Sequence, residues 1–522
     1  MADLAGDADR CLAGAVTAPA RPGDHAKPRP GAAALALVGR IPRPLAALLL
    51  AATVLSVAWA VVTAPLDGPD EIGHAAYVQH LAETGDGPHG GTRDRDVSSE
   101  MRALLFWGNL DALARNDGAR PAWSAAEQDA YRRATRGAAR DDGAGPNPLA
   151  QNPPLYYAYE VVPYTIGGGW SLPARLLLMR LANLPLLWIV VGCSWLIMGE
   201  VFGRRRFLQT VGTGAVALLP MVTFLAGVVN PEIALTAVTT AAIALSLAAL
   251  RVGPRLPVVL ALCGLGAAAV LIHARGLALL PAIAVVLGLS VWRTRHQPGG
   301  RRRLMSAGGA ALVMAVALAG ALVYSGHHAS AGNFSGELTG SSSSGLHDLT
   351  GLASYVWQFY FSPLTGMVPP PGDGLSGYRE IYVQQFLVGS FGSLEVRYAD
   401  TVYAVLQVAQ ALGLIALFAL VVRHFARVRR HAAQIAVLAA YLLSMLALLH
   451  VAAWQDLSSP AHAGLLAGRY LVCLAAIFGV AVTAVVALVP RRAGVALGAV
   501  VLGAGAMLGV GGIFVSLVRF YA

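Results

Sequence analysis

PLAALLLAATVLSVAWAVVT, residues 44–63, followed at once by APLDGPDEIGH, residues 64–74, decides the class of this chain. About 20 consecutive apolar residues in helical geometry cross the hydrocarbon core of a bilayer. Two adjacent carboxylates and a histidine just beyond such a span then stand at the water interface, where charge serves chemistry rather than burial. Working outward, apolar runs recur at about 174–198, 207–229, 232–250, 256–272, 276–292, 305–325, 400–422, 432–453, 467–489 and 493–517. Only His273 to Gly276 separate the fifth span from the sixth, so these two also read as a re-entrant pair. The chain is 56% hydrophobic and 13% charged, against about 25% charged in a soluble domain. The pattern predicts an all-α polytopic membrane protein of about 11 transmembrane helices with two large external loops.

The net charge of +10 does not imply a nucleic-acid partner, because the arginines lie in short connections. Arg204 to Arg206, Arg251 with Arg255, Arg293 with Arg301 to Arg303, Arg423 with Arg427 to Arg430, and Arg491 with Arg492 occupy every second connection. This positive-inside bias puts Lys27, Arg29, Arg40 and Arg43 in the cytoplasm and the C-terminus outside. The acids agree: Asp3, Asp7, Asp9 and Asp24 of the tail and Glu200 fall inside, and the rest outside. Residues 1–43 are expected to form a disordered cytoplasmic tail, ahead of a transmembrane domain over 44–522. Ala58-Trp59-Ala60 resembles a signal-peptidase site, but more than 40 residues precede the apolar run, which favours retention of the span. Cys193, Cys263 and Cys473 lie in separate spans and Cys11 in the tail, so the cysteines read as small apolar residues, not a disulfide framework.

The first external loop, 64–173, has the signals of a folded subdomain. A helix opening with Pro69 at its first position runs to about Ala82 and stops near Gly85. An amphipathic segment at 98–115 follows, and Ser124 with Glu127 forms a capping box for a third helix ending before Gly143. NPLAQNPPLYYAYEVVPY, 147–164, gives a short tyrosine-rich helix suited to the headgroup layer. The second loop, 326–399, carries a Gly/Ser stretch at 330–345, the interfacial segment YVWQFYF at 355–361 and PPPGDGLSGYRE at 369–380.

On a helix from Pro69, Asp70 and His74 share a face with Tyr77 one turn on, while Glu71 points about 100° away. An ionised Asp70 near the helix start is able to accept a proton from a hydroxyl, or with His74 to hold a divalent cation; the cofactor is left open. An ordinary solvated helix start explains the same residues without function. Arg469, Arg275 and Arg397 sit near the outer ends of spans, where arginine binds phosphate bidentately. Headgroup anchoring by snorkelling is the structural alternative, and the stronger one for Arg275, Arg397 and Arg180. Asn230-Pro231-Glu232 reads as a polar helix start, with Glu232 near enough to the interface to join a site.

PDEIGH (69–74), NPPLYY (152–157), VGSFGSLE (388–395) and AGRY (467–470), in this order, resemble the bacterial membrane-protein family known as domain of unknown function 2142. The resemblance spans roughly residues 45–490. That family looks like a branch of the GT-C glycosyltransferases, which take a sugar from a polyprenyl-phosphate carrier and keep an acidic motif in the first external loop. The resemblance implies a GT-C-like fold and a transferase of the cell membrane, with a polyprenyl-phosphate-linked sugar and membrane lipid as partners. It matches Asp70, Glu71 and His74 to the acidic motif, Tyr156 to the PPLYY element and Arg469 to GRY; together with the readings above, Asp70, Glu71 and His74 are expected in catalysis, and Tyr77, Asn152, Tyr156, Arg275, Arg397 and Arg469 in substrate binding. Asn152 stands where the family often has His, Ser393 where Trp is frequent, and Pro231-Glu232 where an Asp follows Asn230. A lipid-linked glycan flippase, a non-catalytic envelope assembly protein and an O-antigen-type polymerase or ligase are the competing readings.

Overall fold

In the computed structural model the described residues are 41–88, 97–143 except 114, 115 and 117, 147–294, 348–360, 364–367, 383–457 and 467–522, with scattered positions of 305–323. The chain divides into Met1–Arg43 and Pro44–Ala522. The expected tail over 1–40, including Cys11, and most of the expected span 305–325 lie outside the described residues. So do the Gly/Ser stretch 330–345 and the segment 369–380. Among the described residues the regular structure is helical, apart from an isolated antiparallel bridge between Phe391 and Val396.

The first span forms as α1, Arg43–Val62. The helix of the first loop begins two residues later than Pro69: α2 spans Glu71–Thr84, and Asp70 precedes it as the N-cap with φ 57°. The correction has a tertiary cause. The Asn230 amide donates to Pro69 O (2.9 Å) and Gly68 N donates back to Glu71 Oε2 (3.0 Å), so the chain turns at Asp70 before the helix starts. The segment expected as one helix over 98–115 breaks into α3, Ser99–Trp107, and α4, Leu110–Leu113. Asn109 adopts φ 57° at the break. The capping box is present at Ser124 and Glu127 and opens α5, Ala125–Thr135.

The tyrosine-rich segment is α6, Leu155–Ile166. Leu155, Tyr159, Val162 and Ile166 form an exposed apolar stripe along it, whereas Tyr156, Tyr157, Glu160 and Tyr164 are buried. Such an amphipathic face suits the membrane interface. Helices α7, Leu172–Ala182, and α8, Leu184–Phe202, meet at Asn183 and together make a 31-residue apolar stretch. The expected span 207–229 is broken: α9, Arg206–Ala217, stops before Pro220, which starts α10, Pro220–Leu225. A proline within a helix removes a hydrogen bond and clashes with the preceding turn, so the chain restarts there.

At the centre stands α11, Glu232–Val252, with 72% of its apolar window buried. Its alanines and threonines allow close approach, and the Thr236 and Thr240 hydroxyls donate to the carbonyls of Glu232 and Thr236 (2.7 Å each). Next come α12, Leu256–Ile272, a 3₁₀ turn over Ala274–Ala278, and α13, Leu279–Thr294. From the second loop, α14, Leu349–Tyr360, packs Tyr355 and Phe359 against Trp454. The remaining helices are α15, Asp400–Arg423; α16, Phe425–Arg429; α17, Ala432–Leu457; α18, Ala475–Leu488, entered through a 3₁₀ turn over Gly468–Leu474; and α19, Arg491–Tyr521.

Eight stretches are long and apolar enough to cross a membrane among the described residues. Each coincides with one of the eleven expected spans. Of the other three, 207–229 is broken at Pro220, 256–272 forms a helix of 17 residues, and 305–325 lies mostly outside the described residues. Helices α9 and α18 cross at glycines. A Cβ on Gly479 would stand 2.7 Å from Gly212 O, so only glycine permits that approach. Cys263 and Cys473 are buried and Cys193 half-buried, all as free thiols.

Candidate active site

The acidic pair after α1 splits into two different environments. Glu71 is wholly buried, and each of its oxygens accepts two hydrogen bonds: Oε1 from Arg180 Nε (2.8 Å) and Val229 N (2.8 Å), Oε2 from Arg180 Nη2 (2.6 Å) and Gly68 N (3.0 Å). Arg180 spends its remaining donors on the carbonyls of Ala60, Thr63 and Ala64 (2.8–2.9 Å). Its side chain is 3% exposed. Arg180 is therefore not a snorkelling headgroup anchor. It pins the end of α1 to α2 and α7, because a buried guanidinium needs a carboxylate and carbonyls around it.

Asp70 faces the other way, its side chain 39% exposed and its Oδ2 accepting from Arg469 Nη2 at 2.6 Å. Arg469 Nε donates to Glu232 Oε1 (3.2 Å), and the same oxygen accepts from Arg275 Nη2 (3.3 Å). Two carboxylates and two guanidinium groups thus alternate, and Glu232 Oε2 has no partner among the described residues. The Arg275 guanidinium lies 4.1 Å from the centre of the Tyr470 ring and that of Arg469 5.4 Å from it. Local structure sets these positions. Glu232 opens α11 with its N–H bonded to Asn230 Oδ1 (2.9 Å), Arg469 and Tyr470 sit on the 3₁₀ turn before α18, and Arg275 lies on the turn before α13. His273 Nδ1 accepts from Arg275 N (3.1 Å). Burial first, then the nearby charges of Arg275, His74 and Arg469, hold the His273 imidazole well below the ordinary histidine range.

His74 and Tyr77 turn from Asp70 toward α6. His74 Nδ1 meets Tyr157 OH at 3.0 Å, the Asn152 amide donates to the same hydroxyl (3.0 Å), and the Tyr77 ring stacks on Tyr157 with centroids 3.7 Å apart. Tyr77 OH donates to Asn152 O (3.2 Å). The expected convergence of Asp70, His74 and Tyr77 on one helix face is thereby replaced: Asp70 stands outside the helix and pairs with Arg469, while the other two meet at Tyr157. Among the described residues no group of three or more His, Cys, Asp or Glu side chains is placed to hold a metal ion.

Tyr156, a turn-mate of Tyr157, points about 100° away and is buried against Asn183 Oδ1 (3.4 Å). Beside it, burial pushes the Glu160 carboxyl well above the ordinary range. Arg397 is placed at Asp400 (3.7 Å) and over the Tyr403 ring. The structure thus brings Asp70, Arg275 and Arg469 together and adds Glu232, His273 and Tyr470 to them. It gathers His74, Tyr77 and Asn152 around Tyr157. Tyr470 was legible beside Arg469 in GRY; nothing local distinguishes Tyr157 from Tyr156.

The site occupies one end of the bundle. The opposite end of α11 carries Arg251, paired with Glu200 at the end of α8 (3.0 Å), so the arginine-rich connection and the candidate site lie about 30 Å apart along a 21-residue helix.

Compared with solved structures, the chain is similar to the crystal structure of ArnT from Cupriavidus metallidurans in the apo state, with 14% identity and a TM-score of 0.42. The similarity covers 88% of this chain, which spans 61% of the length of that one. No curated protein matches in sequence. The profile of the predicted membrane protein family DUF2142 matches residues 53–507, nearly the whole transmembrane region, and the chain belongs to this family.

Proposed function

We propose that this protein is a membrane glycosyltransferase that moves a sugar from a polyprenyl-phosphate donor to a cell-envelope acceptor at the external face, with its N-terminus cytoplasmic and its C-terminus external. The observation that carries the reading is the pairing of Asp70, the carboxylate of the motif that reaches solvent, with Arg469, which Glu232 joins to Arg275. One cluster then offers a base and two phosphate-binding cations at the membrane surface.

In the proposed reaction the lipid phosphate takes the Arg469 guanidinium from Asp70 and so releases the carboxylate from that pair. Asp70 removes the acceptor hydroxyl proton as that oxygen attacks the anomeric carbon from the face opposite the phosphate. The anomeric C–O bond to phosphate breaks, and the charge developing on the departing phosphate is met by Arg469 and Arg275. General-base assistance of this kind contributes about 100- to 10,000-fold. Glu232 holds the two arginines together, and His74, Tyr77, Asn152 and Tyr157 form a wall of the acceptor side. Glu71 acts through position alone, since all its hydrogen-bonding capacity is taken up by Arg180, Val229 and Gly68.

The test is sugar transfer from radiolabelled polyprenyl-phosphate sugars in membranes containing the protein, comparing wild type with Asp70→Asn at equal expression. Loss of transfer in the variant supports the assignment. Equal transfer moves the chemistry away from Asp70, and no transfer with any donor removes the reading.

A further inference from the structure

A second carboxylate pair lies outside the site just described. Asp67, in the turn between α1 and α2, is 6% exposed; its Oδ1 is 3.2 Å from the Ser393 hydroxyl that donates to it, and its Oδ2 has no donor among the described residues. Glu395 stands in the tight turn closed by the Phe391–Val396 bridge, and both its oxygens are shut off from solvent, again with no donor among the described residues. The oxygens converge. A Cβ built on Gly392 would clash with Glu395 Oε1 and stand 2.8 Å from both Glu395 Oε2 and Asp67 Oδ2. Gly392 has φ +62° and Leu394 φ 77°, so the turn is bent to bring Glu395 onto Asp67.

Charges facing the pair do not neutralise it. Glu71 adds a further negative charge, and Arg180 is committed to Glu71. Arg519 of α19 acts on Glu395 but donates to the carbonyls of Leu113, Asn116 and Ala119; Tyr521 also faces Asp67. Two ionised carboxylates repel each other strongly in such a space, so near neutral pH one retains a proton.

We infer that Asp67 and Glu395 share a single proton, and that this proton clasps the turn at 389–396 to the segment that carries Asp70. The protonated carboxyl donates across to the ionised one; raising the pH passes that proton to solvent and leaves two facing charges. Burial first, then the charge of Glu395, pushes Asp67 up to about 8, which puts the release just above neutrality. The clasp is a pH-sensitive contact between the two long loops, and it does not rest on the glycosyltransferase reading.

The sign follows from proton linkage. The native pair keeps a proton that the unfolded chain has already lost above the ordinary carboxylate range of about 4, so this contribution to stability falls as pH rises to about 8 and is constant above it. The experiment is the apparent unfolding temperature of the full-length protein in neutral detergent from about pH 5.5 to about 9.5, for wild type, Asp67→Asn and Glu395→Gln. Each amide supplies a permanent donor to the remaining carboxylate. The expected result is a gap, variant minus wild type, that widens by several degrees up to about pH 8 and then stays level, in whichever variants fold. Curves that run parallel for wild type and variants overturn the inference. So does a rise in wild-type unfolding temperature on adding millimolar Ca²⁺ or Mg²⁺ at alkaline pH that the variants lack, because a cation and not a proton would then join the two carboxylates.

Discussion

Neighbouring acids in this protein are expected to fail in opposite ways when neutralised. Glu71→Gln removes the charge facing Arg180, whose side chain is 3% exposed, and replaces one acceptor oxygen with an amide directed at Arg180 and a backbone N–H. Removing one partner of a buried ion pair costs about 3–5 kcal/mol, a large share of a total stability of about 5–15 kcal/mol, so the unfolding temperature should fall sharply. Asp70→Asn instead changes a half-exposed side chain, and Arg469 keeps its bond to Glu232. Its cost should stay near 1 kcal/mol, as for partly exposed pairs, while transfer falls about 100- to 10,000-fold. The assay is monodispersity and apparent unfolding temperature in detergent, with sugar transfer measured on whatever protein folds. A stable, monodisperse Glu71→Gln variant would refute the division between a structural and a chemical acid, and so would an Asp70→Asn variant as unstable as Glu71→Gln.

Arg180→Ala should reproduce the instability of Glu71→Gln, and the double substitution should cost less than the sum of the two, which a cycle of unfolding temperatures reads directly. Arg469→Lys keeps the charge but loses the planar fork, so the KM for the lipid-phosphate donor should rise more than kcat falls; an unchanged KM would separate Arg469 from the phosphate. Tyr157→Phe deletes the hydroxyl shared by His74 and Asn152 and should lower stability by about 1–3 kcal/mol, seen as a drop in unfolding temperature. Gly212→Leu drives a side chain into Thr483 and Met198 where α9 crosses α18, and should abolish the folded protein.

The sequence by itself determined the membrane class, the places of eight long apolar helices, the capping box at Ser124, and Asp70, Arg275 and Arg469 as separate residues of interest. These are legible because bilayer thickness, helix capping and charge bias act on short stretches of chain. The break at Pro220 is a difference from the sequence reading, in which the apolar run 207–229 is one span. The tertiary structure alone decided which of two adjacent acids reaches solvent: Glu71 and Arg180 are 109 residues apart, and Asp70 and Arg469 399 apart. Asp70 tolerates φ 57° better than most residues, and it leaves the helix here where Asn230, 161 residues on, holds Pro69. Likewise Tyr157, and not Tyr156, gathers His74 and Asn152, since only the packing of α6 on α2 chooses the face. A buried charge takes its role from the partner that desolvation forces on it, and that partner is set by how the helices meet.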